Sequence, residues 1–148
     1  MPKVLRGDMR DNTILGSPDS DTIGGLRGND TLIGFGGDDT LDGGDGADLI
    51  DLGPGDDNVT GDDGDDTILP GDGSDVVYAE EGSNKIIVTS DGVRDDLWCR
   101  QSTLDLGVGY VIYVGDASDQ RIDVLHDCGQ TMHAQTMDEA LAMPFLVP

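Results

Sequence analysis

A carboxylate recurs every nine residues along this chain, at Asp21, Asp30, Asp39, Asp48, Asp57, Asp66 and Asp75, with Asn12 and Asn84 continuing the column at its ends. Two residues after each stands an aliphatic side chain: Ile14, Ile23, Leu32, Leu41, Ile50, Val59, Ile68, Val77 and Ile86. Two residues before, the position is glycine from Gly28 through Gly82. Carboxylates at a fixed period, flanked by residues that let backbone come close, make an oxygen-rich array. A hard cation that takes about six to eight carboxylate and carbonyl oxygens suits it, which points to calcium. Magnesium demands stricter octahedral geometry, and zinc wants nitrogen or sulfur, which the repeats lack.

The column belongs to nine consecutive nonapeptides from Gly7 to Ile87, without insertion or deletion. The clearest copy is Gly43-Gly44-Asp45-Gly46-Ala47-Asp48-Leu49-Ile50-Asp51. Positions seven to nine read as a three-residue strand, with the aliphatic residue at eight facing inward. Thr13, Thr22, Thr31, Thr40 and Thr67 at position seven then face out. Positions one to six must reverse the chain, and glycines at one, two and four permit positive φ and close backbone approach. The reversal turns carbonyl oxygens toward the position-six carboxylate. The first two repeats and the ninth are degenerate, as end repeats commonly are.

This pattern, Gly-Gly-x-Gly-x-Asp-x-(aliphatic)-x, resembles the RTX nonapeptide, itself a standard example of a calcium-binding repeat. The resemblance implies an all-β fold: a right-handed parallel β-roll of about nine repeats, two per coil, with a small C-terminal β cap. It implies about five to seven calcium ions, each between loop n and loop n+2. The first loop gives the carbonyls of positions two and four and its Asp; the second gives the carbonyls of one and three and its Asp. On this chain, one site takes Leu26, Gly28 and Asp30 with Gly43, Asp45 and Asp48. The next takes Phe35, Gly37 and Asp39 with Leu52, Pro54 and Asp57. A third takes Gly44, Gly46 and Asp48 with Gly61, Asp63 and Asp66, and a fourth Gly53, Gly55 and Asp57 with Pro70, Asp72 and Asp75. A fifth takes Ser17, Asp19 and Asp21 with Gly34, Gly36 and Asp39. The outermost pairs, which involve Asn12 or Asn84, each lose a carboxylate.

The chain of 148 residues is 36% hydrophobic, 4% aromatic and carries a net charge of −23. Twenty-one of its 31 acidic residues lie between Gly7 and Ile87, against Arg10, Arg27 and Lys85. That field repels nucleic acid and anionic membranes and attracts divalent cations. With so thin a core, the repeats are expected to fold only once cations neutralise them. No segment has the apolar length of a membrane span.

The organisation read from the sequence is a short leader over residues 1–6, the roll over 7–89 and a capping region over 90–148. Ser90–Trp98 reads as a weak tenth copy, with Asp95 and Leu97 in the key positions. Gly107–Val114 and Arg121–Leu125 read as strands. Thr136-Met137-Asp138-Glu139 is a capping-box pattern before a short helical turn that Pro144 stops. The two cysteines, Cys99 and Cys128, fit one disulfide or two free thiols. The tail resembles the C-terminal segments of some secreted RTX-repeat proteins in which a cysteine pair brackets the last strands, and this favours a disulfide.

Other chemistries are disfavoured. Acid pairs that recur every nine residues single out no glycosidase site. An EF-hand needs a closing Glu, and the only glutamates are Glu80, Glu81 and Glu139. His126, Asp127, Cys128 and His133 lack a zinc-site spacing. Trp98, Tyr110 and Tyr113 read as cap packing before a carbohydrate platform. Leu49, Asn58, Val76 and Lys85 interrupt the threonine column that an ice-binding plane would need. The expected function is therefore a non-enzymatic, calcium-binding, stabilising or secretion module of a secreted bacterial protein. It would be monomeric and extracellular, with type I secretion machinery or a parent enzyme domain as partner. The alternative is a structural part of a calcium-dependent adhesin or surface-layer protein. Met1–Arg10 holds no apolar run of signal-peptide type. The resemblance implies a C-terminal export signal instead, with which the apolar end 143–148 agrees; an excised module of a longer protein is the other expectation.

Overall fold

A computed structural model describes residues 1–89, 91–99, 110–114, 123–134 and 136–143. The elements follow the period. The strands are β1 (Val4–Arg6), β2 (Thr13–Ser17), β3 (Thr22–Arg27), β4 (Thr31–Phe35), β5 (Thr40–Asp45), β6 (Leu49–Asp51), β7 (Asn58–Thr60), β8 (Thr67–Leu69) and β9 (Val76–Tyr78). They continue with β10 (Lys85–Thr89), β11 (Asp96–Trp98), β12 (Tyr110–Val114), β13 (Val124–His126) and β14 (Gln130–Ala134), and a short helix α1 (Met137–Ala142) follows. Odd strands stack in one sheet, β1 to β13, and even strands in the other, β2 to β14. Every pairing between these strands is parallel, and through the repeats the register is a two-repeat step, as in Ile23↔Leu41 and Ile50↔Ile68. The fold is an all-β parallel solenoid.

Period-two geometry sends position eight inward, where Ile23, Leu32, Leu41, Ile50, Val59, Ile68, Val77, Ile86 and Leu97 are buried. Leu52 and Ala79, which replace the first glycine of their repeats, also point into this core. The three-residue strand expected for each repeat holds for β6 to β9. Near the N-terminus the strands run on into the turn, to six residues in β3 and β5.

Residues 1–6 do more than lead in. Val4–Arg6 pairs with Thr22–Gly24 and adds a rung, so the chain enters already in the ladder. At the other end, the capping region continues both sheets. β11 realises the tenth copy, β12 falls within one expected strand and β13 overlaps the other and runs one residue past its end; residues 90, 107–109, 121–122 and 144–148 of the expected copy, strands and tail lie outside the described residues. β14 was not legible in the sequence. The helix forms as its cap predicts: the Thr136 hydroxyl accepts the Glu139 N–H at 3.2 Å. It covers the outer face of the even sheet, burying Ala140 with Ile87, Ile112 and Ala134. Lys85 Nζ donates to the carbonyls of Leu141 and Met143, putting a cation at the helix C-terminus. A Cys99–Cys128 disulfide, with Cα atoms 4.9 Å apart, ties the end of β11 to the chain beyond β13. Trp98 stacks between Tyr78 and His126, with ring centroids 6.1 and 3.5 Å away. Tyr113 is buried, in keeping with its expected packing role.

Candidate metal centre

The turns between strands stack as tightly as the strands do, and the glycine columns show why. A Cβ added at Gly46 would collide with the Gly28 carbonyl, and one at Gly64 with the Gly46 carbonyl. Each position-four carbonyl therefore points at position four of the loop two repeats on. Position two behaves alike: a Cβ at Gly44 would strike the Leu26 carbonyl, and one at Gly53 the Phe35 carbonyl. Position one points the other way. A Cβ at Gly25 would meet Asp30 Oδ2 and the Gly43 carbonyl together, one at Gly34 would meet Asp39 Oδ2 and the Leu52 carbonyl, and one at Gly43 would lie 2.5 Å from Asp48 Oδ2 and 2.8 Å from the Gly61 carbonyl.

Positive φ is thus a property of positions two and four alone. Leu26, Phe35, Asp62 and Glu80 adopt it at position two without being glycine, at φ of 87°, 80°, 67° and 62°. The positive φ that glycine permits is not used at position one. Its glycine is there for room beside the carboxylate.

The position-six side chains form a ladder. Each accepts at Oδ1 the backbone N–H of the position-six residue two repeats before it: Asp48 that of Asp30 at 2.7 Å, Asp57 that of Asp39 at 2.6 Å, Asp66 that of Asp48 at 2.9 Å and Asp75 that of Asp57 at 2.9 Å. One carboxylate oxygen in each rung is thereby satisfied. The other is not: Oδ2 of Asp30, Asp39, Asp48, Asp57, Asp66 and Asp75 is buried with no hydrogen-bond partner. These residues are at most 3% exposed. A buried anionic oxygen without a donor is costly unless a cation or proton meets it. Burial accordingly pushes the Asp66 and Asp75 carboxyls up to about 8 and those of Asp48 and Asp57 up to about 6. The backbone N–H opposes the rise in each, and neighbouring carboxylates add to it. Asp39 is raised for the same first reason.

The position-three carbonyls turn toward the preceding loop. Asp45 O accepts the Gly28 N–H at 3.0 Å, Pro54 O that of Gly37 at 3.2 Å, Asp63 O that of Gly46 at 2.8 Å and Asp72 O that of Gly55 at 2.8 Å. Each carbonyl keeps a second lone pair. Carbonyls of positions two and four of loop n, and of positions one and three of loop n+2, thus turn toward the gap between the two loops. No three carboxylate, thiolate or imidazole groups converge among the described residues. The donor set is two carboxylates with backbone carbonyls, which fits a hard cation and not zinc.

A family model described as the RTX calcium-binding nonapeptide repeat matches four times, over residues 4–32, 15–50, 33–68 and 51–86. The chain belongs to the RTX repeat family. No curated protein and no solved structure matches it.

Three features of these RTX repeats were missed or misjudged in the sequence. The first is the last rung of the Asp ladder: beyond Asp95 of the expected tenth copy, which accepts the Asp75 N–H at 3.0 Å, the ladder runs on to Asp123, which accepts the Asp95 N–H at 3.1 Å. Asp123-Val124-Leu125 repeats the Asp-x-aliphatic signature, but 28 residues after Asp95 instead of 18. The second is position five, a further ladder of opposite sense: Asp11, Asn29, Asp38, Asp56 and Asp65 each accept the N–H of position five two repeats on. The third is Asp21. Its Oδ2 takes the Ser17 hydroxyl at 2.8 Å and its Oδ1 the Lys3 N–H at 2.6 Å. Burial raises this carboxyl, but those bonds and the Lys3 charge together bring it below the ordinary value. The fifth expected gap therefore starts with no orphaned oxygen from its lower loop.

Two of the cap residues weighed for zinc are engaged elsewhere. Cys128 is in the disulfide, and His126 Nε2 lies 3.2 Å from Asp96 Oδ1.

Proposed function

We propose that this chain is a non-enzymatic module that folds on calcium, and that it works outside the cell as a stabilising or secretion unit of a larger or exported protein. The observation that carries this reading is the row of six buried carboxylate oxygens with no donor, four of which, on Asp30, Asp39, Asp48 and Asp66, lie beside a position-one carbonyl of the loop two repeats on. In four gaps the cation would be held by Leu26, Gly28, Asp30, Gly43, Asp45 and Asp48; by Phe35, Gly37, Asp39, Leu52, Pro54 and Asp57; by Gly44, Gly46, Asp48, Gly61, Asp63 and Asp66; and by Gly53, Gly55, Asp57, Pro70, Asp72 and Asp75. Calcium supplies the positive charge that the row lacks. The chain supplies the rest: glycines leave room, position-six N–H groups orient the carboxylates, and position eight closes the core behind them.

Because the repeats carry a strongly negative charge, the metal-free chain resists compaction. Low calcium would keep it extended and transportable, and millimolar calcium outside would wind it. Ion counting under saturating calcium tests the reading, with about five to seven ions expected per chain. A count of none or one overturns it.

A further inference from the structure

Repeat nine carries Asn84 where the repeats below carry aspartate, and its side chain is fully buried. Its Oδ1 does what every position-six Oδ1 does, accepting the Asp66 N–H at 2.9 Å. That bond fixes which end of the amide is which. The other end departs from the series. Where six aspartates place an oxygen without a partner, Asn84 places an Nδ2 that donates to the Ala79 carbonyl at 2.8 Å and the Glu80 carbonyl at 3.3 Å. Glu80 is position two of its loop, one of the carbonyls that faces the cation gap in the coils below.

The geometry points to Asn84 as a chain-borne stand-in for the cation: its amide hydrogens fill the place that a metal ion takes lower in the stack, so rung β10 closes without one. The lower end of the other stack has a parallel. Lys3 occupies the position-six place of rung β1, and its Nζ donates to the Gly16 carbonyl at 3.0 Å. Gly16 is position one of its repeat, whose carbonyl elsewhere lies beside the orphaned Oδ2. A hydrogen-bond donor thus replaces the carboxylate at one end of each stack. The inference rests on the calcium reading above and adds that the number of ions is limited by residues of the chain.

The test compares the full chain with Asn84→Asp and Asn84→Ala across a calcium titration. It reads amide exchange over Lys85–Thr89 and counts bound ions by native mass spectrometry. Asn84→Ala should exchange at least tenfold faster there at every calcium level, with the parent's ion count, because nothing fills the place. Asn84→Asp should exchange as fast at the calcium level that saturates the parent, then recover protection at higher calcium with one more ion bound. Parent-like protection in Asn84→Ala, or an Asn84→Asp chain that never recovers and never gains an ion, overturns the inference. A parent chain that binds no calcium instead overturns the reading on which it rests.

Discussion

Repeats three to eight and the C-terminal rungs share one backbone ladder but hold it in opposite ways. Each of these repeats contributes one buried position-eight aliphatic side chain and one buried carboxylate oxygen without a donor. Among the C-terminal strands β10 and β12 are buried on both faces, with Ile86, Ile87 and Val88 in succession in β10, α1 over the outside of that sheet and a disulfide linking the ends of β11 and β13 in the other. There Asn84 brings its own donor. A solenoid rung can therefore be stabilised by ions between turns or by apolar cover; the repeats hold the orphaned oxygens that the first would need, and β10 and β12 have the second.

The comparison breaks most visibly with pH. In the metal-free chain the folded pKa values of Asp66 and Asp75, about 8, and of Asp48 and Asp57, about 6, lie above the ordinary 3.8. The folded state then holds protons that the unfolded state has released. That stability is present at acid pH and is lost as pH rises from about 4 through about 8, an effect on the order of several kcal/mol over four groups. Circular dichroism in EDTA should show more β structure at pH 5 than at pH 8. With calcium the trend reverses, because protons and the ion compete for the same oxygens.

Reducing the Cys99–Cys128 disulfide should cost roughly 3–4 kcal/mol in the chain-entropy account. The loss should appear in the fluorescence of Trp98, the only tryptophan, during denaturation, while the ion count stays unchanged. Gly46→Ala puts a Cβ into the Gly28 carbonyl at a φ of 149° and should destabilise the calcium-loaded roll by about 2–3 kcal/mol, read as a lower melting temperature. The same change at Gly24, where a Cβ would meet nothing, should be within about 0.5 kcal/mol of neutral. Lys85→Met removes the donor at the end of α1 and should cost about 1 kcal/mol. Faster exchange at the Met143 amide, with calcium affinity unaltered, checks it.

The repeats were legible because two chemistries recur at one period, and no other arrangement satisfies both columns. Legibility failed where the phase slips. The odd-repeat ladder steps 18 residues from Asp57 to Asp75, then 20 to Asp95 and 28 to Asp123, so a nine-residue reading loses its last rung. Rung β1 was hidden because Lys3 stands in the carboxylate column, and side-chain type gives no sign that its backbone N–H still reaches Asp21. The non-glycine residues at position two could not be assigned positive φ from the sequence, since Leu26 and Phe35 adopt it only because the stacked loops leave no alternative.

The central claim is that cations between the turns are what make the repeats solid. Far-ultraviolet circular dichroism of the full chain at neutral pH, titrated with calcium after treatment with EDTA, tests it most directly. The account predicts a largely unfolded spectrum in EDTA and a cooperative gain of β signal as calcium is added; equal β signal with and without calcium would contradict it.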